Sequence, residues 1–499
     1  MVAGRRRRYA GLLDPHDDRT LDAIGRIASV PRPGESLPGG APALAAAPLL
    51  PRRARPGRVS GARLRISFRA SYTEGAVAEL VGACTGGAAL TAWALQLGAT
   101  PFVIGLLGAL PLAAQVLHLP AAFLTQLFGP KPVAIAAIGA SRVAWLPLVA
   151  LPFAGLPADV ELPLFVVVAA AAAILAVVGN NAWVAWMGDL VPGAIRGRFF
   201  SRRTIHITAA GTLASLGTGL ALDAATPLGL KPAMLAGLAA VACLAGLLSV
   251  WLLLHHASPV RTQHDERPDR RALAQAARDT RTRPWLRYLL CWNAAVALSA
   301  SFFSYHMVVN LGLGFALIAL HGVAVAVVRI ITAPLWGRAV DRMGARPMLV
   351  LCSFGIAAVP ALWLFVTPDR LWPLALEAVA AGALWACHGI ATMDLTLTSA
   401  PARHRPYYVA VFGATSGLGF GAASIVAGLV AAGLPARFEV FGASWTAIHL
   451  LFLASAVARG LAALTALPVQ EHGARPVRAV VRAFAGHARA SLTLRRLPG

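Results

Sequence analysis

The chain has 499 residues, of which 58% are hydrophobic and only 13% charged, with a mean hydropathy of +0.67. A soluble chain carries about a quarter charged residues, so the composition excludes an ordinary cytosolic enzyme. The formal net charge of +23 does not point to nucleic acid, because the basic residues sit in tails and short loops between apolar stretches long enough to cross ~30 Å of hydrocarbon.

Residues 1–70 carry the run Arg5 to Arg8, the acids Asp14, Asp17 and Asp18, and a Pro, Gly and Arg-rich stretch from Pro31 to Arg69. No apolar period there is long enough to fold, so a disordered basic tail is expected. Asp14 interrupts the sequence where a signal peptide needs its apolar region. Six apolar spans follow within 71–254, near 74–97, 101–126, 132–154, 162–190, 204–223 and 230–254. A polar linker occupies 255–284, and six more spans fill 285–467, near 285–310, 313–336, 347–366, 371–396, 407–433 and 440–467. A basic tail, 468–499, closes the chain with Arg475, Arg478, Arg482, Arg489, Arg495 and Arg496. The fold class is therefore all-α integral membrane, twelve transmembrane helices arranged as two six-helix halves. Cys84, Cys243, Cys291, Cys352 and Cys387 fall inside apolar stretches with no metal-ligand spacing and are read as small core residues.

Lys and Arg accumulate in loops on the cytoplasmic side of a membrane. The loops after spans four, six, eight and ten are basic: Arg196, Arg198, Arg202 and Arg203, then the linker, then Arg338, Arg342 and Arg346, then Arg403 and Arg405. Both termini are thus expected in the cytoplasm of a cell whose cytoplasmic membrane the chain spans many times.

The two halves look duplicated. A shift of 215 residues sets Gly129, Lys131 and Pro132 on Gly344, Arg346 and Pro347, and Met187-Asp189-Leu190 has a counterpart in Met393-Asp394-Leu395. Such parallel repeats occur in one large class of secondary transporter. The segment Gly337-Arg338-Ala339-Val340-Asp341-Arg342-Met343-Gly344-Ala345-Arg346 fits the pattern G-x-x-x-D-R-x-G-x-R between spans eight and nine, and on it the chain resembles the major facilitator superfamily. The stretch from Trp186 to Pro192, with Ile195-Arg196-Gly197-Arg198-Phe199-Phe200 after it, is similar to a loop of bacterial members. The resemblance implies alternating access by a single chain, functional as a monomer in the lipid bilayer, with a small-molecule substrate, protons as coupling partner and no cofactor or metal. The first-half copy of the motif departs from the pattern, with Ala122 for the glycine and Gln126 for the aspartate.

The resemblance gives the loop motif a gating role. Gly337 lets helices approach, Asp341 is suited to pair with an arginine or a helix N-terminus, Gly344 permits a tight turn, and Arg342 and Arg346 supply charge. Static loop packing with positive-inside charge is the competing reading. Asp189 ends a helix where a carboxylate meets the negative end of the dipole, so it calls for a cation from Arg196, Arg198 or Arg202, unless water alone solvates it.

Charges deep in apolar spans cost a few kcal/mol unless paired or hydrated. At 1.5 Å per residue, Arg142 lies ~15 Å and Arg329 ~12 Å from the cytoplasmic side, with Glu79 ~10 Å from that side and Glu377 ~9 Å from the other. Depth favours Glu79 over Glu377 as the partner of Arg142. A proton-coupling or anion site and a structural ion pair remain equal readings. In the family resembled, spans one, four, seven and ten line the central cavity, and here they carry Gln96, Asn180, Asn181, Trp183, Asn293, Tyr305, His306, Trp385 and His388. Ligand contact and interhelical hydrogen bonding both account for them, with His306 and Tyr305 singled out because imidazole titrates near neutrality. No Walker loop, dinucleotide-binding glycine pattern or HExxH occurs, so the chain is not expected to be an enzyme. Proton-driven export of a small solute is the preferred reading; the alternative is a non-transporting membrane assembly factor or sensor on the same scaffold, suggested by the missing first-half aspartate.

Overall fold

The computed structural model describes residues 61–191, 193–257, 270–401, 405–435, 438–440, 443–471, 473–480 and 482. Among them, twelve helices are long and apolar enough to cross a membrane: spans 1 to 6 are Gly61–Gln96, Pro101–Phe128, Pro130–Phe153, Ala158–Gly188, Arg202–Ala225 and Lys231–Leu254. Spans 7 to 12 are Arg283–Asn310, Phe315–Met343, Ala345–Phe365, Trp372–Thr398, Tyr407–Gly433 and Ala447–Leu464. All twelve expected spans are present.

Two expectations need correction at their edges. The first helix starts at Gly61, so residues 61–70 belong to span 1 and not to a disordered tail. Arg63, Arg65 and Arg69 alternate there with Leu64, Ile66 and Phe68, and long arginine stems lie along apolar surface while their heads reach water. Residues 1–60 lie outside the described residues. Span 12 begins at Ala447 and not near 440, because β1 (Phe438–Val440) and β2 (Ala443–Trp445) pair antiparallel just before it. Thr446 then caps the helix reciprocally with His449. The linker also carries a short helix, Arg270–Arg278, whose Ala276 is buried with Val480 of the C-terminal segment in one apolar cluster of the second half.

Apolar side chains give no net drive between helices in lipid, so close association depends on small residues that let backbones meet. Span 2 meets span 11 this way: a Cβ on Gly417 would stand 2.7 Å from the Leu112 carbonyl oxygen, and one on Gly428 3.1 Å from that of Phe102. Gly413, Gly417 and Gly421 thus form a packing surface between the halves, while Gly419 packs on Leu290 of its own half. Span 5 meets span 8 through Gly219, whose Cβ would stand 2.6 Å from the Phe315 carbonyl oxygen.

The contacts of Gly428 with Phe102 and of Gly219 with Phe315 lie toward the face of the bundle opposite the linker, called here the far face, whereas Gly417 meets Leu112 near mid-span. Span 5 is buried at Thr218, Leu222 and Ala225, and span 8 at Phe315, Ile318 and Ala319. Toward the linker face Arg202, Ile205 and His206 of span 5 and Arg329 to Ile331 of span 8 are exposed. The end of span 2, Leu124, Leu127 and Phe128, is exposed as well. Spans 5 and 8 thus meet at their far-face ends, and Arg329, three turns beyond Ile318 on the same face of span 8, is exposed.

Candidate functional site

The loop motif turns at Gly344, whose φ of +97° is accessible to glycine. Its amide donates to the Val340 carbonyl at 2.8 Å, ending span 8. Span 9 then begins with free amides, and Glu471, from the segment after span 12, accepts from Ala345 N at 2.9 Å and Arg346 N at 2.6 Å. A carboxylate at a helix N-terminus both fills orphan donors and opposes the helix dipole. The Arg475 amide donates to the Met343 carbonyl at 3.0 Å, and the Arg346 guanidinium donates to the Leu467 carbonyl. The C-terminal segment is thus fastened to the motif, a role the sequence reading did not assign to Glu471.

Two motif residues do not behave as expected in this conformer. Asp341 is exposed and has no cationic partner among the described residues; the charge that faces it is Asp394. A Cβ on Gly337 would meet nothing within 4 Å, so no helix approaches there. Arg342 is exposed. The side chains of Asp189, Arg196 and Arg198 lie outside the described residues.

The first-half copy keeps its turn, with Gly129 at φ +91°. Lys131 Nζ donates to the Leu254 carbonyl at 3.3 Å and the His256 carbonyl at 2.6 Å, at the end of span 6. Trp186 Nε1 donates to the Ala257 carbonyl at 3.1 Å, and the Ala257 amide to Ser67 Oγ at 2.9 Å. These bonds anchor the start of the linker to spans 1, 3 and 4.

Among the charges within the spans, the structure groups four in the first half, one buried and three partly buried. Glu74 is 3% exposed. Its Oε2 accepts from Arg203 Nη2 at 3.2 Å and its Oε1 from Ser249 Oγ at 3.0 Å. The Arg203 guanidinium stacks 4.2 Å over the Trp183 ring, an arrangement that favours a desolvated cation. Arg142 on span 3 lies within Coulombic reach of Glu74 and then Glu79, yet forms no ion pair at contact distance among the described residues, and its Nε has no partner. Glu79 lies beside span 5, where a Cβ on Gly211 would stand 2.8 Å from its Oε2, and within Coulombic reach of Arg203 and Arg142. Glu79 and Arg142 thus lie within Coulombic reach of each other without an ion pair at contact distance, in a cluster whose fixed carboxylate is Glu74. Glu74 is an interior residue because of the earlier start of span 1: residues 61–73 carry the helix inward.

In the second half, Glu377 Oε2 and His321 Nε2 are 2.7 Å apart. Arg459 on span 12 is 2% exposed; its Nη2 donates to Ser299 Oγ at 2.9 Å, its Nε has no partner, and Glu377 is in Coulombic reach. The sequence reading missed Arg459, although a lone arginine inside an apolar span is the signal that selected Arg142. Arg329, by contrast, is exposed rather than buried, since it lies toward the linker face, where span 5 is exposed as well.

The remaining candidates divide. His388 Nε2 is 2.8 Å from Tyr288 Oη, which is 2.9 Å from Ser353 Oγ, and Trp292 stacks on the imidazole at 4.8 Å. His388 is an interhelical hydrogen-bonding residue in this conformer. His306 is 1% exposed; its Nδ1 accepts from Asn310 Nδ2 at 2.8 Å, and its ring meets His449, Phe452 and Trp363 edge-on. A one-turn π-helix, His306–Asn310, ends span 7 and turns this ring into the aromatic cluster. Tyr305 is half-buried, and Asn293 Nδ2 donates to the Leu289 carbonyl of its own helix at 2.8 Å. Asn180 and Gln96 are exposed, and Asn181 is partly so.

The sequence model of the Major Facilitator Superfamily matches residues 76–330 and 296–497. No curated protein matches the chain in sequence. Among solved structures, the fold is similar to a D-xylose-proton symporter, with TM-score 0.63 and 14% identity over 82% of this chain and 97% of that one. It is also similar to a mutant form of the nucleoside transporter NupG, with TM-score 0.61 and 13% identity over 81% and 100%. A bacterial homolog of the human lysosomal transporter Spinster, inward-facing and occupied, gives TM-score 0.56 and 16% identity over 81% and 95%. With the family model covering most of the chain and twelve spans arranged as in these carriers, the chain belongs to the major facilitator superfamily: it is a multi-pass membrane secondary transporter of small solutes, not an enzyme.

Proposed function

We propose that the chain is a proton-coupled exporter of a small drug-like or metabolic solute, acting in the cytoplasmic membrane with both termini in the cytoplasm. The observation that carries this reading is the contrast between two carboxylates in one cluster. Glu74 is fixed by Arg203 and Ser249, whereas Glu79, within Coulombic reach of two arginines, has no hydrogen bond or ion pair at contact distance among the described residues. A carboxylate without fixed partners, within Coulombic reach of two arginines, is suited to bind a proton in one conformer and release it in the other as its access to water changes. Exchange of solute for protons drives outward movement when the proton gradient points inward. The fold's likeness to a D-xylose-proton symporter agrees with proton coupling as an analogy of fold alone.

In this reading Asn180, Asn181 and Asn293 contact the solute in the cleft that opens toward the linker. Asp341 is a gate residue in waiting: it acquires a cationic or helix N-terminal partner when the linker face closes. Asp341→Asn should then reduce transport several-fold without loss of membrane insertion.

The test is solute-dependent proton movement. Candidate solutes are first ranked by thermal shift of the purified protein. Proteoliposomes with a trapped pH dye should then show proton flux on addition of a stabilising solute. Solute flux with no proton movement would overturn the coupling.

A further inference from the structure

Span 8 starts without a cap of its own. Its N-cap residue is Gly314, which offers no side chain, so the first amides of the helix need an acceptor from elsewhere. The acceptor comes from the other half of the protein: Asp223, near the end of span 5, takes Phe315 N on Oδ1 at 2.7 Å and Ala316 N on Oδ2 at 2.8 Å. Both carboxylate oxygens are engaged, on the axis where the helix dipole favours a negative charge. Two glycines make the approach possible. A Cβ on Gly314 would stand 2.7 Å from Asp223 Oδ2, and one on Gly219, a turn earlier on span 5, 2.6 Å from the Phe315 carbonyl oxygen. The Lys231 ammonium lies 5.5 Å over the Phe315 ring from the first-half side.

We propose that Asp223 is the gating residue of the far face, making the cap on span 8 when that face is closed and breaking it whenever the halves separate there. The cap joins the two halves across the far face, so in an alternating-access cycle it belongs to the conformer closed there. Alternating access requires the far face to open, and both hydrogen bonds are then exchanged for water. The cap thereby biases the protein toward the state open on the linker side, by the difference between its strength and that of the replacing water. This inference needs only the superfamily's alternating access and is independent of proton coupling.

Distance measurements on the full chain in nanodiscs test it without a substrate. Nitroxides at Leu228→Cys and Trp372→Cys, both exposed residues of the far face, report opening there, and a pair at Leu127→Cys and Met393→Cys reports the linker face. The five native cysteines are replaced by alanine. Asp223→Ala should raise the ratio of long to short far-face distances about tenfold, the equivalent of one charged hydrogen bond, and shorten the linker-face distances in step. Gly314→Ala should do the same with the carboxylate intact, because its methyl group displaces Asp223. Distance distributions unchanged in both variants would overturn the proposal, as would a far face that widens while the linker face stays put, since that is local loosening and not a shift of the transport equilibrium. Hydrogen exchange on the unsubstituted chain reads the same contact directly: slow exchange at Phe315 and Ala316 is expected, and free exchange at both would contradict the cap.

Discussion

Lys131 and Arg346, 215 residues apart, perform the same act in the two halves: each donates to carbonyls that end the last helix of its own half, Leu254 and His256 for Lys131 and Leu467 for Arg346. A cation at a helix C-terminus satisfies orphan carbonyls and faces the negative end of the dipole. The duplicated loop thus retains its capping cation in both copies, although only the second keeps the aspartate. Lys131→Met and Arg346→Met should each lower stability by about 1 kcal/mol, and Arg346→Lys should recover part of the loss. Thermal unfolding of the purified protein checks both; a Lys131→Met protein as stable as the parent would contradict the cap.

His256, just past the end of span 6, gives the fold a pH dependence of known sign. Its ring is 1% exposed, and burial pushes its pKa from 6.5 down to about 4, with the nearby charges of Lys131 and Arg203 acting in the same direction. The folded state keeps the imidazole neutral while the unfolded chain takes up a proton below its ordinary pKa. Stability is therefore full above about pH 6.5 and lost as pH falls toward 4, by up to about 3 kcal/mol. His256→Gln should flatten that part of the melting-temperature profile, and an unchanged slope would show that another group carries it.

Glu74 is buried and Arg203 largely so, and they pair at 3.2 Å, so removing one leaves the other uncompensated. Glu74→Gln and Arg203→Gln should each destabilise by about 3–5 kcal/mol, with the double variant costing less than the sum. Heat-resistant monodisperse protein, measured by size-exclusion chromatography, reads the cycle. Additive losses would mean that the two charges are independent.

The proposed orientation has its own check. Cysteines introduced within 155–161 and 367–370 should react with an impermeant reagent added outside cells, and those within 270–282 should react only after permeabilisation. The reverse pattern would place the linker outside.

Apolar runs made all twelve spans legible, since length and composition are what the bilayer demands of a helix. The loop motif was legible from glycines and charges at fixed spacing. Glu74 was not, because the arginines of 61–70 hid a helix whose apolar face only packing reveals. Asp223 and Glu471 were not legible either: each serves a helix far away in sequence, Glu471 at Ala345 and Asp223 at Phe315, and sequence spacing carries no trace of such contacts. The enclosure of the His306 ring by Phe452 and Trp363 was not legible, because sequence position cannot tell a ring packed among aromatics from one facing a ligand. Arg329 and Arg142 looked alike in depth, and only packing separates an exposed arginine from an interior one.

The central claim, that Glu79 carries the coupled proton, is tested most directly by comparing two fluxes in proteoliposomes with a solute selected by thermal shift. One is exchange of labelled for unlabelled solute, which needs the conformational change but no net proton movement. The other is net flux driven by an imposed pH gradient. Glu79→Gln should retain exchange within about twofold while losing the gradient-driven flux, because a neutral amide cannot release a proton between conformers. Gradient-driven flux that survives at the parent rate in Glu79→Gln would contradict the account.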